Sequence, residues 1–481
     1  MAKENNAPNL GDNKMRIMPV GRLLFTMALP LALSMLVQAF YNIVDTYFVS
    51  LVSTDATGAL SLAFPIQNLQ IGCATGIAVG MNSLLSKSLG ENNRERANQA
   101  AGNGILLTGV LVLVFMVFGL FFTESYYSLF DTNETARQYG IDYTSICSIF
   151  TLGIFVEVLG ERLLQASGRT VYTLYTQGTG AVLNIILDPL FILGSAGLKD
   201  VLGIELPFYF PAFGVAGAAI ATVIGQWVAA IMAVIFNITR NPDVKFALRY
   251  LKPDKTVIRK ILAVGVPSMI MMAIGSVMNF CMNQIFLSFR AVHGQTPANV
   301  FGIYFKIQSI FLMPLFGINN ASVSIIAYNY GARLPDRIRK TVKLGLCSAL
   351  VIMLAGFAIF QLIPDKMMGI FGSTGGADAE ALVKMGVTAM RIVSIHFPIA
   401  AVGIALGASF QGLGNGSYST VTSLCRQLVA LVPAAYLLSL TGNVDAVWWS
   451  FPIAEVVSMI LSVIFFLRIY RQKVKPMFTK E

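Results

Sequence analysis

Asp45 and Asp188 are carboxylates in places where a carboxylate is costly. Asp45 ends an apolar run that starts near Leu23, and Asp188 lies in the stretch Tyr175 to Gly194, which carries no other charge. A lone acid at bilayer depth costs about 2.5–3.5 kcal/mol even on the lenient insertion scales, so two of them mark function by default. Asn184 stands four residues before Asp188 and shares its face on a helix, while Pro189 breaks the backbone ladder just after the acid. Acids and an amide carbonyl are hard oxygen donors, a set that suits Na+, and buried acids suit protons equally well. Two acids brought close titrate as a pair, so the pH response would belong to the site and not to either residue.

Composition sets the elements that must hold these groups. Of 481 residues, 56% are hydrophobic and 12% charged, and mean hydropathy is +0.69, against about 25% charged residues in soluble domains. The chain reads as an all-α polytopic membrane protein. With roughly twenty apolar residues to a spanning helix, twelve transmembrane helices are predicted, near 23–49, 58–86, 101–122, 139–166, 170–197, 212–237, 257–289, 297–326, 340–362, 381–412, 417–440 and 445–468.

The net charge of +10 is distributed as a topology signal, not as a nucleic-acid footprint. With both termini on one side, only Arg137, Lys199, Arg290, Lys366 and, at the very start of its span, Lys384 fall toward the opposite side, and Lys306, Arg391 and Arg426 fall deeper inside predicted spans. The positive-inside rule then places both termini in the cytoplasm of a cell (inner or plasma) membrane, multi-pass, with the lipid bilayer as partner and no nucleic acid. The polar N-terminal stretch lacks the apolar core of a signal peptide, and the first helix is expected to be its own insertion signal. Cys73, Cys147, Cys281, Cys347 and Cys425 lie singly in apolar spans and read as small core residues.

The chain repeats. Aligning Phe64–Gln67 with Phe305–Gln308 brings Gly76 onto Gly317, Ser83 onto Ser324, Gly90 onto Gly331 and Arg96 onto Arg337, all at an offset of 241. Pro30 and Asn42 fall on Pro267 and Asn279 at 237, and Gln165 to Gly168 matches Gln411 to Gly414 at 246. Two six-helix halves in parallel topology follow, with substrate sites expected between them near midplane. The predicted divisions are a cytoplasmic segment 1–22, an N-lobe 23–238, a cytoplasmic linker 239–256, a C-lobe 257–468 and a cytoplasmic tail 469–481. The halves differ in charge. Met282 and Ala430 stand opposite Asp45 and Asn184, and the second half carries Lys306, Arg391, Arg426 and Glu455 instead.

The segments Y-N-I-V-D-T-Y-F-V-S (Tyr41 to Ser50), L-L-Q-A-S-G-R (Leu163 to Arg169), N-I-I-L-D-P-L-F-I (Asn184 to Ile192) and G-V-A-G-A-A-I-A-T-V-I-G-Q (Gly214 to Gln226) resemble the multidrug and toxin extrusion (MATE) family, within the multidrug/oligosaccharidyl-lipid/polysaccharide flippase superfamily. The resemblance covers almost the whole chain and is closest to the DinF-like branch. It implies a V-shaped transporter of two pseudo-symmetric six-helix bundles. Such a protein is a secondary active multidrug efflux antiporter, exporting small-molecule organic cations of amphipathic character in exchange for inward Na+ or H+ by alternating access. It also implies a monomer with no cofactor. The DinF-like ion site maps onto Asp45, Asn184, Asp188 and Thr222, where Na+ is the metal to consider. The NorM-like branch also has an acid on the seventh helix, where this chain offers only Asn279, Asn283 and Gln284.

Bland readings stand beside these. Asp45 could be hydrated near the outer surface, Asp188 could satisfy backbone groups freed by Pro189, and Thr222 could bond its own helix. Candidate cavity residues are Phe40, Tyr41, Phe64, Gln67, Met278, Met282, Asn279, Lys306, Arg426 and Glu455. The methionines suit a pocket that repacks around varied ligands, and the aromatic rings suit organic cations. Glu455 is expected to pair with Lys306, Arg391 or Arg426, and Glu161 and Arg162 are expected at the cytoplasmic surface. Pro30 is the expected hinge, since it shares a helix with Asp45. A flippase for a lipid-linked saccharide precursor is the rival, and it needs Lys306, Arg391 and Arg426 to grip a pyrophosphate. An enzyme is not expected, because neither His293 nor His396 has partners in sequence for metal or nucleophilic chemistry.

Overall fold

The computed structural model describes residues 13–130, 133–205, 207, 209–369 and 377–478, and no strand occurs among them. The principal helices of the first half are α1 (Val20–Ser50), α2 (Thr54–Gly90), α3 (Arg94–Phe121), α4 (Glu134–Ile149), α5 (Leu152–Ala166), α6 (Val171–Leu202) and α7 (Gly214–Arg240). Those of the second half are α8 (Lys255–Leu287), α9 (Thr296–Gly331), α10 (Pro335–Leu362), α11 (Ala377–Ser394), α12 (Phe397–Gly412), α13 (Gly416–Leu424), α14 (Val432–Ser439) and α15 (Ser450–Ile469). A π-helical segment, Cys425–Leu431, joins α13 to α14.

Among the described residues ten helices are long and apolar enough to cross a membrane, and the number is twelve when each of two bent pairs counts as one span. The bent pairs correspond to the predicted spans 139–166 and 381–412. The first bends by 47° between α4 and α5, and the second by 50° ahead of α12. The carbonyl of Phe150 at the first break accepts a hydrogen bond from Trp227 Nε1 (3.2 Å) on α7. At the second break a proline follows within the first residues of α12, where it suits a helix start and not an interior. The offset of 246 carries Phe150 onto His396, so both halves break at one register.

Two compact units result. Among the described residues, one holds the chain up to Ile17 together with Leu33–Met269, and the other holds Met18–Ala32 together with everything from Ile270 on. The division thus falls inside α1 and α8, whereas the sequence suggests the basic linker 239–256. The changes of unit inside α1 and α8 each come two residues after a proline, Pro30 or Pro267, and the offset of 237 relates one to the other. The linker itself is tied to α3 in the first unit, where Lys245 N donates to Asn98 Oδ1 (2.8 Å) and Asp254 N to Asn103 Oδ1 (2.9 Å). In the second unit, Arg337 Nη2 donates to the carbonyl of Met18 (2.8 Å). Its core centres on Phe286 stacked against Trp448, ring centroids 4.3 Å apart, with Met282, Phe301 and Tyr304 in the same cluster.

Two glycines fix the helices that carry Asn184, Asp188 and Thr222. Gly194 has φ +67° and breaks α6 six residues after Asp188, and the redirected chain is secured where Ser195 N donates to Phe210 O (2.8 Å). Gly217 lets α7 approach α6 so closely that a Cβ there would stand 2.3 Å from the carbonyl oxygen of Phe191. Backbone cannot yield as a flexible side chain does. Gly217→Ala is therefore expected to lower stability by about 1–3 kcal/mol, read as a lower midpoint in thermal unfolding of the purified protein, and a midpoint equal to that of the parent would remove this account of the α6–α7 contact.

Candidate functional site

The polar residues of the first unit converge from α1, α6 and α7. Asn184 and Asp188 sit one turn apart on α6, 3% and 0% exposed, and Asn184 Nδ2 donates to Asp188 Oδ1 at 3.1 Å. The same amide lies 3.3 Å from Thr222 Oγ1 on α7. Asp45 on α1 is partly buried and lies close enough to Asp188 for the two charges to interact. Of the four ligands expected, all are brought to one place.

Hydrogen-bond bookkeeping shows what this place lacks. Asp45 Oδ1, Asn184 Oδ1 and Asp188 Oδ2 are buried oxygens without a hydrogen-bond partner among the described residues. Buried acceptors without donors are rare and costly. Three of them on neighbouring side chains, two of which are carboxylate oxygens, fit a small cation or a proton. Among the described residues no group of three or more His, Cys, Asp or Glu is assembled. The oxygens gathered here, from two carboxylates, an amide and a hydroxyl, are hard donors, unlike the sulfur and nitrogen donors of a thiolate- or imidazole-bound metal.

A cavity of about 50 Å³ reaches Asn184 and Thr222 and is lined also by Gln38, Tyr41, Glu157 and Gln177. Tyr41 is near enough to Asp45, Glu157 and Asp188 to interact with all three carboxylates, and its hydroxyl is hydrogen-bonded with the side chain of Gln38. Below this cavity the structure corrects one expectation. Glu161 and Arg162 are 4% and 7% exposed and form part of the interior, not the surface. Glu161 accepts from Thr176 Oγ1 (2.7 Å) and Gln177 Nε2 (2.9 Å), and Arg162 Nη1 donates to Gln165 Oε1 (3.0 Å). The sequence signal was present, since Glu157 and Glu161 stand four apart and share a helix face inside a predicted span.

The remaining candidates scatter. Phe40 and Phe64 are exposed, and Gln67 Nε2 donates to the Tyr143 hydroxyl at 2.9 Å. Lys306 and Arg391 are exposed side chains. Met282 is fully buried in the second unit's apolar core, so the position opposite Asp45 has become hydrophobic packing and lines no polar cavity. Met278, Asn279, Arg426 and Glu455 do come together, around a cavity of about 290 Å³ in the second unit. Arg426 Nη1 lies 3.6 Å from Glu455 Oε1, the pairing expected for that acid. Lys306 and Arg391 are exposed and neither lines the cavity that Arg426 lines, so the three basic residues do not share one pocket as a pyrophosphate grip requires.

A family model named MatE matches residues 30–190 and 267–437. Among curated relatives, the FAD transporter of Shewanella oneidensis is 23% identical over 437 residues, covering 91% of this chain and 92% of that protein. The multidrug export protein MepA of Staphylococcus haemolyticus is 22% identical, with 90% of each covered, and the probable multidrug resistance protein YoeA of Bacillus subtilis is 24% identical, with 94% and 95% covered. Among solved structures, a MATE in the straight conformation superposes with a TM-score of 0.86 at 23% identity, covering 97% of this chain and 98% of that one. An outward-facing multidrug resistance MATE family transporter superposes with 0.85 at 23% identity, covering 99% of each.

Proposed function

This chain belongs to the MatE family and is a membrane transporter rather than an enzyme, and on that premise we propose that it exports amphipathic, mostly cationic organic compounds in exchange for inward Na+ or H+. The observation that carries the coupling is the set of three unpartnered buried oxygens on Asp45, Asn184 and Asp188, with Thr222 Oγ1 beside them. The relatives whose names denote multidrug export support the direction of transport.

The residues act through one shared helix. An ion held between Asp45 on α1 and Asn184 and Asp188 on α6 ties these helices together and relieves the repulsion of two neighbouring acids. Pro30 interrupts the hydrogen-bond ladder of α1 and is the hinge about which the segment bearing Asp45 moves. Bending changes the walls of the adjoining cavity and releases the substrate outward. The ion drives this only by its differential affinity for the two states. The one-sided distribution of Lys and Arg supports a multi-pass protein of the cell membrane with both termini in the cytoplasm, and the proposed working unit is the monomer.

The test uses purified protein in liposomes given a Na+ gradient alone and then a proton gradient alone, while extrusion of a fluorescent organic cation is followed. Extrusion under one or both gradients is the expected result and names the ion. Movement under neither would remove the antiport reading.

A further inference from the structure

The larger cavity of the second unit is built for a charge arrangement that the efflux of simple cations does not use. Its polar wall carries Asn279, Gln308, Asn319, Arg426 and Glu455, and its apolar wall carries Met271, Met278, Leu312 and Phe316 among others. Arg426 lies in the π-helical segment, and π-bulges are frequent at functional sites.

The ion pair in this wall is not closed. Its 3.6 Å separation is longer than the 2.7–2.9 Å or so of a charge-assisted N–H···O bond. The Glu455 side chain is only 6% exposed, yet its Oε1 has no closer polar contact than this long one to Arg426, and among the described residues the Asn319 Oδ1 in the same wall has no hydrogen-bond partner. The Arg426 side chain, 32% exposed, keeps guanidinium donors free to turn toward a ligand.

Charge decides the ligand. A monocation must compete with Arg426 for Glu455 and leaves a net positive interior, and a monoanion does the reverse. Net charge in a low-dielectric interior is strongly disfavoured. A zwitterion whose ammonium and carboxylate sit on one carbon enters between the two side chains, gives each its opposite, and leaves the cavity neutral. It exchanges one loose contact for two charge-assisted hydrogen bonds, and Asn319 Oδ1 supplies a further acceptor for the ammonium.

We propose that the second unit holds a separate substrate site for α-amino-acid-type zwitterions with an apolar tail, the carboxylate on Arg426, the ammonium on Glu455 and Asn319, and the tail against the methionine and phenylalanine wall. Transport of such a ligand rests on the export reading above, whereas its binding does not.

Binding is measured by fluorescence on the full-length purified protein with three matched probes: Nε-dansyl-lysine (zwitterion), dansylcadaverine (cation) and 6-(dansylamino)hexanoic acid (anion). The zwitterion is expected to bind at least tenfold more tightly than either singly charged probe, and Arg426→Gln and Glu455→Gln are each expected to erase that preference. Equal affinity for all three, or an undiminished preference in both variants, overturns the proposal. Because removing one partner of a buried pair threatens folding, Gly407→Leu is the second variant. Gly407 lines the cavity, and a Cβ there meets nothing within 4 Å. This variant is expected to keep its melting temperature and lose the zwitterion, and retained binding would overturn the proposal. Loss of gradient-driven cation export with zwitterion binding intact would indict the export reading alone.

Discussion

Asp188→Asn is expected to lower gradient-driven export by about 100-fold while leaving the melting temperature no lower than that of the parent protein. Asp188 is fully buried, and one of its oxygens has no partner. The substitution keeps the volume but removes the charge that a cation or proton needs. It also places an amide donor beside Asn184 Oδ1, an acceptor that otherwise has none. The site then satisfies itself without an ion. Moving a two-state equilibrium from 1:99 to 99:1 takes about 5.5 kcal/mol of differential binding, and an ion that no longer binds supplies none of it. A structural role predicts the opposite pattern. If Asp188 only satisfied backbone groups near Pro189, the amide would serve as well and export would survive. Initial efflux rates in proteoliposomes, with melting curves on the same preparations, separate the two.

Glu161→Leu is expected to lower stability by about 3–5 kcal/mol. The acid is buried and accepts two hydrogen bonds, so its loss takes an acceptor from the Gln177 amide and leaves the Thr176 hydroxyl only the carbonyl of Thr173. It also strips the buried Arg162 of the carboxylate whose charge acts on it. Glu161→Gln keeps an acceptor oxygen and the shape, and should lose less than half as much. Thermal unfolding of both variants checks the ordering. A leucine variant as stable as the glutamine variant would show that the hydrogen bonds contribute nothing.

Class, span number and the two-fold repeat were legible because each is a property of long stretches. Apolar runs of spanning length and an offset kept over many residues survive uncertainty at any one position. The convergence of Asp45, Asn184, Asp188 and Thr222 was legible for a different reason. Asn184 and Asp188 share a face by helical period alone, while Thr222 entered only through the resemblance to known transporters. What could not be read was anything that depends on which way a helix face turns. Glu161 and Arg162 read as surface residues because a charged pair near the end of a predicted span has two outlets, and only the packing of α5 decides between them. The same holds for Met282 and Arg426. Both lie in apolar segments of the second half, yet one is core and the other lines a cavity. The bends at Phe150 and His396 were likewise hidden, since hydropathy is unchanged across them.

The exchange of helix segments between the two units has a consequence for how the molecule is made. Residues Met18–Ala32 are synthesised long before the rest of the unit they complete, which consists otherwise of residues from Ile270 onward. Conversely, Lys255–Met269 closes the first unit from beyond the linker. Neither half of the chain contains a whole packing unit, so a nascent chain that has inserted its first six helices still has unmatched surface on the first of them. Contacts of such long sequence separation form late. A gene divided at the linker would encode two fragments that each miss a part held by the other, and such fragments would have to be synthesised together to reach the native packing.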